Sequence, residues 1–327
     1  MKFSLVVPLA PGRDAPIIES IKKLDYPKNE FHVVVVKGLN PSANRNRGAE
    51  KAKGDIIVFL DDDALMEKNY LKEAEKFFNE HPEIDIVGGP QLSPFDETGF
   101  AKISGYALSS KFGAWDVSHR YSLRDKNFNA NETMTTSANL LCRKSVMDKI
   151  KFDLKLFPGE DDKFIEDAKK AGLKVAYSPD MIVYHKRRPT LKLFVKQIFN
   201  YGKVRPFKEK FSQTFGMMPF FLVPSVFLIY LISLIVLAGA NFSATGNVVN
   251  SDYWIFKNIQ HFNFLFAIPF FAYLFLDFIF SFYEASKNKN WKAAIHLLWI
   301  FPVLHLSYGY GMIWGYIKKN FTDKSVG

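Results

Sequence analysis

Up to about residue 185 the chain alternates short apolar runs with polar, helix-periodic stretches, and from residue 217 it is almost continuously apolar. FSLVVP has strand length and is closed by Pro8. PIIESIKKL sets Ile17, Ile18, Ile21 and Leu24 at helical spacing, behind Asp14 as cap and Pro16 as an early helical residue. FHVVVV predicts a second buried strand, SANRNRGAEKAKG a helix from a Ser42 cap to a Gly54 stop, and DIIVFL a third strand. MEKNYLKEAEKFFNEH and IDIVGG repeat the alternation. Strand and helix in turn is the pattern of an α/β domain, a parallel sheet with helices on its faces. Residues 91–132 read as a surface excursion with a helix around 99–111. TTSANLLC then predicts a strand, EDDKFIEDAKKAG a helix closed by Gly172, and KVAYSP and MIVYH two short strands.

Three apolar stretches follow, at residues 217–240, 261–283 and 293–316. The first holds no charge, and at a rise of 1.5 Å per residue it spans about 36 Å, enough for a hydrocarbon core of about 30 Å. Basic residues flanking the spans orient such a chain. Residues 186–210 carry nine Lys and Arg against one acid, so the N-terminal domain is expected in the cytosol. The third stretch is more polar, and the lysines after it would lie outside if it crossed fully, which leaves a re-entrant or interfacial course open. LKLFVKQIFNYGKVRPFKEKF places Leu191, Phe194, Val195, Ile198 and Phe199 at helical spacing among basic residues. It reads as a helix lying in the membrane interface against anionic head groups, or as a packed helix. The expected division is 1–188 catalytic, 189–216 basic and interfacial, and 217–327 transmembrane.

A composition that is 48% hydrophobic and 16% aromatic excludes a disordered chain. The single Cys142 excludes a disulfide framework and a cysteine-based zinc site. The net charge of +10 is concentrated in the basic stretch before the first span, which favours a membrane surface and bound phosphates over nucleic acid.

Asp61, Asp62 and Asp63 directly follow the third strand, at the carboxyl edge of the sheet where open sheets bind ligands. Close carboxylates repel one another and invite a divalent cation, although one Asp capping a helix beside two solvated neighbours would give the same string. Arg45 and Arg47 flank Asn46 where a guanidinium could pair with phosphate, and Arg187 and Arg188 could reach a diphosphate or lipid head groups. Asp277 is the acid inside an apolar stretch; it is expected to approach His296 or a lipid phosphate, or simply to reach the interface.

NRNRGAEKAKGDIIVFLDDDA, TTSANLLCRKSV, FPGEDDKFIEDAKKAG and YSPDMIVYHKRRPT, in this order, resemble glycosyltransferase family 2 over residues 2–205. The resemblance is to members with a C-terminal membrane region. It implies a GT-A fold, a Rossmann-like nucleotide-binding sheet with a mixed acceptor half, and a nucleotide-sugar donor. It further implies that DDD is the family's DxD motif, with Asp61 near the ribose and Asp63 binding Mg or Mn. His185 matches a further metal contact of some members, and Pro8, Asp14, Arg45, Asp62, Arg187 and Arg188 become donor contacts. Glu160 and Asp161 match the ED motif, with Asp161 as general base and Asp162 as the alternative one register on. Lys37 and Gly38 depart from the acidic pair that many relatives carry after strand two, so the base is not specified. No Q-x-x-R-W string follows His185, which argues against a processive synthase.

The resulting expectation is an inverting, metal-dependent multi-pass membrane glycosyltransferase acting on a polyprenyl-linked glycan. A polyprenyl-phosphate monoglycosyltransferase and a non-enzymatic membrane scaffold are the alternatives, and the sequence does not specify the oligomeric state.

Overall fold

The structure is a computed structural model that describes residues 1–208, 219–245 and 253–324. Residues 209–216 of the interfacial segment, 217–218 of the first span and 246–252 of the loop after it lie outside the described residues. The chain forms two compact units, Met1–Leu193 and Phe194–Gly327.

The first unit is built on β1 (Phe3–Leu9), β2 (Phe31–Lys37), β3 (Ile56–Leu60), β4 (Ala64–Met66), β5 (Ile86–Gly88), β6 (Gln91–Leu92), β7 (Asn139–Arg143), β8 (Val175–Tyr177) and β9 (Val183–His185). Its helices are α1 (Ile17–Lys22), α2 (Pro41–Glu50), α3 (Tyr70–Glu80), α4 (Gly99–Ser109), α5 (Lys111–Ala114), α6 (Val146–Lys149) and α7 (Glu160–Lys170). A six-stranded sheet runs β2-β1-β3-β7-β5-β8, and a small sheet runs β4-β9-β6. β1 lies parallel to β2 and β3, whereas β7 is antiparallel to both β3 and β5, so the sheet is mixed. The continuous apolar runs mark burial on both faces: every residue of β1 and β3 is buried, while β2 at the edge is mostly half-exposed. Successive side chains of β1 alternate between two cores, Leu5 and Val7 with Tyr70 and Phe77, and Val6 with Phe59, Phe152 and Phe164.

Three capping expectations are corrected. Asp14 is exposed and does not cap α1, whose N-cap position is Pro16 with no side-chain bond. Asn40 caps α2 by accepting from the Ala43 amide at 2.9 Å, and Ser42 lies buried inside the helix. Gly54 does not stop α2, which ends at Glu50. Its role is close approach, since a Cβ there would stand 2.6 Å from the Lys2 carbonyl oxygen. Gly172 does follow α7, at φ +76°, a conformation that favours glycine.

In the second unit the apolar helices are Val223–Thr245, Tyr253–Lys287 and Ala293–Lys324. Three windows are long and apolar enough to cross a membrane: Pro219–Leu237, which begins in the 3-10 turn before the first helix, Leu265–Lys287 and Ala293–Asn320. The third is one continuous helix through Pro302, and its 28-residue window rises about 42 Å. Val226, Ile235, Phe275 and Ile295 turn outward, as on a lipid-facing surface. The basic helix α8 (Leu191–Lys208) packs one face within this unit, burying Phe194, Ile198, Gly202 and Arg205, while Tyr201 and Phe207 stay exposed. Glycines allow its backbone to meet the third apolar helix. A Cβ on Gly311 would stand 2.1 Å from the Phe199 carbonyl oxygen, and one on Gly202 would stand 2.1 Å from that of Tyr308. Gly311→Ala is therefore expected to destabilise this unit by about 1–3 kcal/mol, read as a lower unfolding temperature in detergent. An unchanged transition would show that the two helices do not need this contact.

Candidate active site

Three chain segments bring charged side chains together where β1, β3 and β9 end. β3 ends at Leu60 and releases Asp61, Asp62 and Asp63; the segment after β1 carries Arg13; and β9 ends at His185. The small sheet explains the meeting of Asp63 with a residue 122 positions away. β4 pairs antiparallel with β9 so that Ala64 stands opposite His185, which sets the imidazole beside the residue preceding Ala64. His185 Nε2 lies 2.9 Å from Asp63 Oδ1 and 3.9 Å from Asp61 Oδ2. One ligand atom from each of Asp61, Asp63 and His185 falls within 4.8 Å of the others. Nδ1 of His185 stands 3.1 Å from the Lys186 carbonyl, a contact that helps orient the ring. Two carboxylates and an imidazole suit Mn and, less naturally, Mg. Burial pushes the Asp63 carboxyl up, but the hydrogen bonds and charges of His185 and Arg13 outweigh it and hold the group well below the usual carboxylate range.

The RNRG string lies on α2, and each of its residues has a structural partner. Arg45 was expected to meet phosphate. Instead its guanidinium is buried, with Nη1 at 2.8 Å from Glu160 Oε1 and Nη2 at 3.1 Å from Asp61 Oδ1. Asn46 donates to the Phe152 carbonyl and accepts from the Phe152 amide, which ties the segment before α7 to α2. Arg47 donates to the Asn44 side chain, and Gly48 lies against Val6, where a Cβ would come within 2.2 Å of Cγ1.

Three acids open α7 after Gly159, whose φ of +108° suits glycine. Each has a different environment. Glu160 is buried on Arg45, and burial, followed by the charge of Asp161, holds its carboxyl above the usual range despite that partner. Asp162 is buried and paired with Arg120, which also donates to the Glu132 carbonyl. Asp161 is half-exposed, accepts at 2.9 Å from the Asp162 amide, and forms no ion pair among the described residues. The two flanking acids are thus occupied by buried arginines, and the acid between them keeps a carboxylate for a ligand.

The remaining expected residues differ in burial and partners. Arg187 is buried. Its guanidinium donates to the Gln91 carbonyl and to Ser93 and stacks on Tyr121 at 4.7 Å, and its amide donates to Glu97 Oε1, so it fastens the excursion after β5. Arg188 is exposed, Asp14 is exposed, and Pro8 lies buried in β1 opposite Val36. Asp277 is buried and accepts from Ser281 at 3.4 Å, whereas His296 is exposed and lies against Trp299. The expected approach of Asp277 to His296 is not observed. The histidine bonded to the second apolar helix is His305, at 2.9 Å from Tyr273. The sequence reading missed Arg13, Asn46 and Arg120. Only Arg13 carried a usable signal, its place just beyond the carboxyl end of a buried strand.

A family model described as glycosyltransferase-like family 2 matches residues 3–200. The chain belongs to that family. The mixed α/β sheet is of the GT-A type expected for it, and helices apolar enough to span a membrane follow. Among similar proteins, the poly(ribitol-phosphate) beta-N-acetylglucosaminyltransferase TarS of Staphylococcus aureus is 29% identical over 111 residues, covering 25% of this chain and 19% of TarS. The minor teichoic acid biosynthesis protein GgaB of Bacillus subtilis is 31% identical over 153 residues, 45% of this chain and 16% of GgaB. The glycosyltransferase AglE of Haloferax volcanii is 25% identical over 162 residues, 49% of each chain. This chain thus spans at most about half the length of these relatives. A crystal structure of TarS 1–349 with UDP-GlcNAc aligns at a TM-score of 0.45 and 18% identity, covering 64% of this chain and 66% of that one.

Proposed function

We propose that this protein is an inverting, metal-dependent glycosyltransferase that moves a sugar from a nucleotide sugar to an acceptor held in the membrane, a polyprenyl-linked glycan. The observation that carries this reading is the division of labour among its acids. Asp61, Asp63 and His185 converge as a ligand set, and Asp161 alone of the three α7 acids forms no ion pair among the described residues. Mg or Mn, when bound, neutralises the charge that appears on the departing diphosphate. Asp63 and His185 would hold that ion, with Asp61 beside it and toward the ribose. Asp161 takes the proton from the acceptor hydroxyl as the oxygen attacks the anomeric carbon, so transfer by direct displacement inverts its configuration. Arg45 bridges Asp61 and Glu160 and thereby fixes α7 against the donor edge. Asp62 and the exposed Arg188 are the remaining donor-side candidates. The names of the relatives make UDP-GlcNAc the first donor to try.

The three apolar helices and the basic run before them support a multi-pass membrane protein whose catalytic unit is cytosolic and faces anionic head groups. The sequence division at residues 188 and 216 is retained in this proposal as catalytic, interfacial and transmembrane parts.

Calorimetry of the full chain with UDP and Mn tests the donor site. Wild type is expected to bind UDP in a Mn-dependent manner, and Asp63→Ala to weaken it at least about tenfold, the scale of one lost charge-assisted contact. Equal UDP affinity with and without Mn would remove the metal from this account.

A further inference from the structure

The guanidinium of Arg13 lies inside the charged group of the site. A single nitrogen, Nη2, stands 3.0 Å from Asp62 Oδ1 and 3.1 Å from Asp63 Oδ2. No other partner of this side chain is found among the described residues, and the side chain is 51% exposed. It follows Gly12, at φ +76°, where a Cβ would meet nothing within 4 Å, so the segment is not wedged in place. Asp63 accepts from Arg13 on one oxygen and faces His185 with the other.

These contacts contrast with those of Arg45. Arg45 is buried against aromatic and acidic neighbours, with two nitrogens committed to two different elements. Arg13 holds its carboxylates by one nitrogen at the rim. A fork of five donors is well suited to phosphate, and most of that capacity is unused here.

We propose that Arg13 is an exchangeable counter-cation of the donor site, pairing with Asp62 and Asp63 in the absence of a nucleotide and with the donor diphosphate in its presence. The proposal rests on the metal-dependent donor site argued above. A divalent ion on Asp63 neutralises the carboxylate that attracts Arg13 and repels the guanidinium directly, while a diphosphate attracts it. Arg13 therefore opposes the ion when the ion binds alone and supports it when ion and diphosphate bind together. This makes Arg13 a positioning residue that favours simultaneous loading of ion and donor.

Opposite signs in two titrations test this in the full chain. For Arg13→Gln, Mn alone is expected to bind about threefold tighter, the scale of a lost half-exposed ion pair. UDP in saturating Mn is expected to bind about tenfold weaker, the scale of a lost charge-assisted bond. Arg13→Lys, which keeps the charge without the fork, is expected to fall between wild type and Arg13→Gln in both. If wild type binds both ligands and Arg13→Gln shifts both the same way, or neither, the proposal is overturned. Wild-type protein that binds neither Mn nor UDP overturns the donor-site reading itself, and this proposal with it.

Discussion

Asp161→Asn is expected to lower sugar transfer by about 10²- to 10⁴-fold, the usual contribution of a positioned general base, without changing the unfolding temperature. Stability is spared because Asp161 has no ion pair to lose among the described residues, only the bond from the Asp162 amide, whose acceptor oxygen asparagine retains. The neighbouring positions predict a different pattern. Asp162→Asn leaves the buried Arg120 guanidinium without its carboxylate, so its main effect is a lower unfolding temperature. A rate assay beside a melting curve thus separates the two registers of the ED pair. Near wild-type activity in Asp161→Asn would point to a phosphate acceptor, which needs no base.

Arg45→Met is expected to be among the most destabilising single changes in the first unit, at about 3–5 kcal/mol, because it strands the buried Glu160 beside Asp161. Methionine conserves much of the volume against Phe152, so the loss is chiefly one of charge. Adding Glu160→Gln removes the uncompensated charge and is expected to restore most of the stability. Activity is expected to stay low, because the bridge from Asp61 to α7 is gone. Urea unfolding of wild type, single and double variants gives the comparison. An Arg45→Met protein as stable as wild type would show that the pair contributes nothing beyond packing.

The sequence conveys the strands of this fold well because β1, β3 and β7 are buried on both faces and read as short runs that are wholly or mostly apolar. It does not convey pairing direction. Nothing in TTSANLLC indicates that β7 runs antiparallel between β3 and β5, since strand direction leaves no mark on the pattern of side chains. Caps were misread where several polar residues competed, and Asn40 beside Ser42 is the clear case. The acids of the site were legible from their clustering at strand and helix ends. Their partners were not: Arg120 lies 42 residues from Asp162, in a short 3-10 helix, Trp115–Tyr121, that the sequence pattern does not announce. The same distance effect hid the role of Arg45. A guanidinium near a ligand-binding edge reads as a phosphate contact until the structure places Glu160, 115 residues later, against it.

The central claim is direct displacement at the anomeric carbon by an acceptor oxygen that Asp161 deprotonates. The most direct measurement is the anomeric configuration of the delivered sugar, read by proton NMR of the product formed in membranes with Mn and α-linked UDP-GlcNAc or another α-linked nucleotide sugar. The account predicts a β-linked product; an α-linked product, or no transfer from any such donor, would contradict it.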